Sequence, residues 1–124
     1  MRVLVIEPEC RPEVREIDGS LESMQEIVGG PIQAGCPFHD PVVLIRNGKG
    51  TSTGLPANRG LRDKVGQIYD IVCGAFFLCG VSPDSDSFTS LTPEQEERYE
   101  KRFHTPEMFW GMDGHITCLP LEVD

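Results

Sequence analysis

The sequence predicts an α+β fold: a single compact domain over residues 1–124, with a mixed or mainly antiparallel sheet, one packed helix and one peripheral helix. Three observations carry this. Thirteen glycines and ten prolines in 124 residues favour short strands and turns over a helical bundle. Helix-capping signals stand at two places, Ser20 and Thr92. The length and the 39% hydrophobic content suit one domain with a real core and are too small for two domains.

The elements follow in order. Residues 3–6 (VLVI) form an apolar run ended by Pro8 and read as a buried first strand. Val14 and Ile17 bracket charged residues, giving a weaker, more exposed second strand. Ser20 then precedes Leu21, Met24, Ile27 and Val28, one apolar stripe of a helix, with Glu22 and Glu26 off that stripe. Gly29-Gly30 supplies a left-handed stop and Pro31 prevents resumption. Residues 32–35 read as a short strand, and 36–41 as a turn-rich segment.

Residues 42–45 (VVLI) are a strong buried strand, and Asn47-Gly48 is a hairpin signal leading to a polar strand at 51–53. Residues 54–66 read as a polar loop. The segments 68–73 and 75–81 make the most apolar stretch, a strand broken at Gly74 by a bulge or close backbone approach. Residues 82–90 are a loop. Thr92-Pro93-Glu94-Gln95 is a capping box that opens a helix to about Phe103. That helix has little apolar face, so it is solvated and docked by Leu91, Tyr99 and Phe103. A final strand is expected at 115–119.

Composition excludes several function classes. The net charge of −9, with 20 acidic against 11 basic residues, opposes direct binding to nucleic-acid phosphates. No apolar run approaches a bilayer span, and the start carries no signal-peptide pattern, so a cytoplasmic location is expected. Five cysteines without a C-x-x-C spacing read as reduced thiols, not a zinc site. No cofactor is expected.

No catalytic motif is present, and the protein reads as a non-enzyme. His39-Asp40 reads as a turn stabilised by Asp40 and not as a catalytic pair. Asp84-Ser85-Asp86-Ser87 lacks the glycine and distal glutamate of a calcium loop and reads as a solvated turn.

The segment Asn58 to Lys64 is the better candidate site. Asn58, Arg59 and Arg62, with Tyr69 as a stacking face, suit a phosphate, a ribose or a base edge. The competing reading pairs Arg59 and Arg62 with carboxylates such as Asp63. Met108, Phe109, Trp110 and Met112 form an aromatic-rich cluster, expected in the core and otherwise a contact patch for a partner or a second copy.

The strings RVLVIEP, VREIDGSLESMQEIVGG, GLPANRGLRD, QIYDIVCGAFFLCG and SLTPEQEERYEKRF together resemble the uncharacterised family called domain of unknown function 3846. The likeness runs from Met1 to about Ile116. It implies a small cytoplasmic accessory protein of phages, plasmids or conjugative elements of gut bacteria, with no functional residue to carry over. By analogy with such accessory proteins, two roles are expected. One is capture of a small nucleotide-type immune signal, with assembly into a homo-oligomer. The other is acidic inhibition of a host defence protein by direct binding or nucleic-acid mimicry, as anti-CRISPR or antirestriction proteins do.

Overall fold

In the computed structural model the chain is described over residues 1–50, 53–84, 87–112 and 115–121, with backbone alone at 112 and 115. It forms ten strands and two helices among these residues: β1 (Arg2–Ile6), β2 (Glu13–Glu16), α1 (Leu21–Val28), β3 (Ile32–Gly35), β4 (Val42–Asn47), β5 (Ala57–Arg62), β6 (Ile68–Cys73), β7 (Phe76–Val81), β8 (Phe88–Thr89), α2 (Pro93–Arg102), β9 (Glu107–Met112) and β10 (His115–Pro120). The α+β expectation holds, and the pairings are antiparallel.

The main sheet has the order β2-β1-β7-β4-β3, with β8 added to the end of β7. β7 is its centre because Phe76, Phe77, Leu78 and Cys79 are all fully buried, so both faces of this strand must be covered. Val3, Val5, Val43, Ile45, Phe77 and Cys79 face α1, which contributes Met24 and Val28. Leu4, Ile6, Val42, Leu44, Phe76 and Leu78 face the other way, toward Leu61 and Val72 of the β5–β6 hairpin and Tyr99 and Phe103 at α2. The period-2 alternation of strand side chains thus builds two cores on opposite faces of one sheet.

Both helices end where their local chemistry directs. The Ser20 hydroxyl accepts from the Ser23 N–H, and Gly29 closes α1 at φ 79°. Gly30 lies so close to Asn47 that a Cβ there would stand 2.8 Å from its Nδ2. That amide donates to the Val28 carbonyl at 3.0 Å, satisfying an orphan group at the helix end. α2 opens with the reciprocal capping box of Thr92 and Gln95 and proline in its first turn. The docking expected of α2 is met, since Leu91, Tyr99 and Phe103 are each 3% exposed.

Several expectations need correction. The polar loop expected at 54–66 contains β5, whose residues 58–61 are buried and which pairs with β6. The apolar stretch 68–81 is two strands in two different sheets, because Gly74 turns the chain at φ 82°. Leu21 is 58% exposed and contributes little to the helix seam. After Asn47-Gly48 the chain does not return along β4; the Gly48 N–H donates to the Pro31 carbonyl. The strand expected at 51–53 lies mostly outside the described residues, as do residues 85 and 86 of the turn expected at 84–87. Thr53 lies in a turn.

The β9–β10 hairpin corrects the expected core cluster. Met108 and Trp110 are 37% and 47% exposed, on the same face as cross-strand Leu119. No helix among the described residues is long and apolar enough to cross a membrane.

Candidate functional site: a cationic cleft between α2 and the β5–β6 turn

The four predicted site residues do not converge. Asn58 is fully buried in β5, where its Nδ2 donates to the carbonyls of Ile6 and Gly74, both at 2.9 Å. Its Oδ1 accepts from the Arg59 guanidinium at 2.8 Å. Arg59 is 1% exposed, and the same fork reaches the carbonyls of Phe103 at 3.1 Å and Cys10 at 2.5 Å. Burial lowers the pKa of Arg59, opposed by the field of Glu107, yet a guanidinium stays charged. These two side chains clamp β1, β5, β6 and the end of α2 together, and their polar atoms are committed inside the protein.

Arg62 and Tyr69 take a different position. Both line an open cleft of about 530 Å³, within the ordinary size range of ligand sites. One wall is the segment after β3, contributing Phe38, His39 and Asp40. The second is the β5–β6 turn, with Arg62, Asp63 and Lys64. The third is α2, which presents Arg98, Tyr99 and Arg102. Residues 98 and 102 are one helical turn apart, so both guanidinium groups project to the same side.

Charge in the cleft runs against the rest of the chain. Four cations, Arg62, Lys64, Arg98 and Arg102, meet two carboxylates, Asp40 and Asp63. Two of the four are already paired. Arg98 donates to Asp40, which also accepts from the Tyr99 hydroxyl at 2.8 Å. The Asp40 side chain therefore ties its segment to α2, while its carbonyl accepts from the Val42 N–H at 2.7 Å within its own turn. Arg62 pairs with Glu107, so the reading that pairs this arginine with a carboxylate holds, with Glu107 in place of Asp63.

Lys64 and Arg102 have no carboxylate partner among the described residues. The Arg102 guanidinium lies 4.8 Å from the Phe38 ring centroid in a cation–π contact, and its Nη2 donates to the Arg62 carbonyl at 3.4 Å, which leaves its other donors to the cleft. Asp63 spends its Oδ1 on the N–H groups of Val65 and Gln67, each at 3.0 Å, and so shapes the turn that presents Lys64. The cleft combines two uncompensated cations, a guanidinium plane and the exposed ring of Tyr69.

Glu107 supports this arrangement from outside. It receives Arg62, the Gly60 N–H at 3.0 Å and the Cys118 thiol at 2.8 Å. Burial pushes its pKa up, but these hydrogen bonds outweigh it and the net shift is downward. The Cys118 thiol is pushed up to about 11, first by burial and then by the Glu107 carboxylate, so it is not an activated nucleophile. All five cysteines are free, and no cluster of metal-ligating side chains occurs among the described residues.

Sequence reasoning missed Phe38, Arg98 and Arg102. The two arginines lie on a helix read as solvated, and Phe38 lies in a segment read as turn-rich, so neither stretch pointed to a site.

No curated protein and no solved structure matches the chain. A family model, Domain of unknown function (DUF3846), matches residues 1–104, which include all three walls of the cleft and stop short of β9. The chain belongs to that family.

Proposed function

We propose that this is a non-enzymatic accessory protein of a phage or mobile element, and that it counteracts host defence by capturing a small nucleotide-type signal. The observation that carries this is that Lys64 and Arg102, in an aromatic-walled cleft of an otherwise acidic protein, have no carboxylate partner among the described residues. A phosphate would accept from Arg102 bidentately and from Lys64 as a point charge. The surrounding excess of carboxylates disfavours long polyanions, while a small anion reaches the cleft alone. Of the residues first singled out, Arg62 and Tyr69 belong to this site, and Asn58 and Arg59 hold the scaffold beneath it. Assembly into a homo-oligomer is part of the same proposal, supported by the exposed Met108, Trp110 and Leu119.

A second reading has its own observation. Glu9, Glu13, Glu16, Asp18, Glu22 and Glu26 are exposed on the segments before and along α1, an acidic surface suited to a basic region of a host defence protein. Mass spectrometry of small molecules released by heating protein purified from its native host separates the two. A phosphate-bearing metabolite at stoichiometric amount supports capture. A co-purifying protein without one supports the inhibitor.

A further inference from the structure

A second cavity of about 310 Å³ adjoins the cleft and shares Pro37 and Tyr69 with it. Its chemistry is different. The floor is the β3–β4 pair, where Gly35 stands opposite Leu44 and Gln33 opposite Arg46. Leu61 and Tyr69 close it from the β5–β6 side. Its one ion pair is self-contained, since Arg46 donates to Asp70 at 2.7 Å and to the Ile71 carbonyl at 3.3 Å. The cavity therefore offers no free charge.

Two details fit it to a flat, uncharged group. A Cβ built on Gly35 would meet nothing within 4 Å, so the floor is open there because no side chain fills it. Gln33 is exposed, and its amide makes no hydrogen bond among the described residues. A primary amide presents a donor and an acceptor side by side, the pattern that matches a nucleobase edge. The Tyr69 ring, 56% exposed at the boundary, supplies a stacking face.

We infer that this cavity takes the base of the captured nucleotide, with Gln33 reading its edge and Tyr69 stacking on it, while the phosphates lie on Lys64 and Arg102. The inference rests on the nucleotide reading of the cleft and assigns the ligand its direction: base toward β3, phosphates toward α2.

Calorimetry with ADP and inorganic pyrophosphate on the full chain tests it. The wild-type protein should bind ADP at least about tenfold more tightly than pyrophosphate. Gly35→Leu, whose Cβ would meet nothing within 4 Å and whose side chain adds bulk at the floor, should erase that advantage and leave pyrophosphate binding unchanged. Gln33→Ala should weaken ADP several-fold, again without affecting pyrophosphate. Unchanged pyrophosphate binding also verifies that each variant is folded. Equal affinity of wild type for ADP and pyrophosphate, or undiminished ADP binding by Gly35→Leu, overturns the base site and leaves the phosphate site standing. Failure of wild type to bind either probe also overturns the base site, and the phosphate site is then decided by a panel of ADP-ribose and cyclic nucleotides.

Discussion

The Nε of Arg59 donates to the carbonyl of Phe103 at 3.1 Å, fastening the middle of β5 to the C-terminal cap of α2. The bond explains why an arginine is buried here. A guanidinium is the side chain able to serve the Phe103 carbonyl, the Asn58 amide oxygen and the Cys10 carbonyl at once. Arg59→Lys keeps the charge and loses the fork, leaving buried acceptors unsatisfied. It should cost about 2–4 kcal/mol in urea unfolding. A loss under about 0.5 kcal/mol would show that the clamp is not structural.

α1 yields a graded series. Met24 is 4% exposed, so Met24→Ala should cost about 2–5 kcal/mol. Ile27 is half-buried against the same core, and Ile27→Asp should cost a few kcal/mol by placing a charge there. Leu21→Ser and Glu26→Ala, both at exposed positions, should each stay within about 0.5 kcal/mol. Thermal melts that failed to rank the variants in this order would mean the helix face is misassigned.

That series shows what was legible in the sequence. α1 and α2 were readable because their caps, stops and apolar spacing are local. β5 was not. Asn58 and Arg59 read as loop polarity because their partners are Ile6 and Phe103, 52 and 44 residues away, and no window pattern encodes such distances. Gly74 was visible as a break but not as the switch between sheets, since IYDIV and AFFLC on its two sides both read as strand-forming runs. The cleft was half legible for the same reason. Arg62 and Tyr69 sit in one polar-rich stretch, whereas Phe38 and Arg102 meet them only after folding.

The alkaline limb of stability should be steep. Burial, then the Asp40 hydrogen bond, pushes Tyr99 up to about 12 from 10.0. Burial pushes Cys79 up to about 12 and Cys118 to about 11, both from 9.0. Each native pKa is raised, so the stabilisation is complete below the ordinary value and is lost as pH climbs toward the native one. Urea midpoints should therefore fall from about pH 9 upward. Tyr99→Phe should remove the part of that fall between about pH 10 and 12 and leave the thiol part. An identical profile in the variant would contradict the assignment.

Glu107 governs part of the acid limb. Although burial opposes it, bonding to Arg62, Cys118 and the Gly60 N–H lowers its pKa below 4.5. The sign is the reverse of Tyr99: this stabilisation is present above the ordinary value and lost as pH falls through the native one. Glu107→Gln should cost about 1 kcal/mol at neutral pH, modest because Arg62 is 40% exposed, and should flatten the acid limb. An acid limb as steep as wild type would place the titration elsewhere.

The central claim is that Lys64 and Arg102 bind phosphate, and calorimetry of wild type beside the Lys64→Ala/Arg102→Ala protein tests it most directly. The titrants are ADP, ADP-ribose and cyclic mono- and dinucleotides. At least one should bind wild type, and the double variant should lose about tenfold or more of that affinity while melting at the same temperature. No binding across the panel, or equal binding by the variant, would contradict the account.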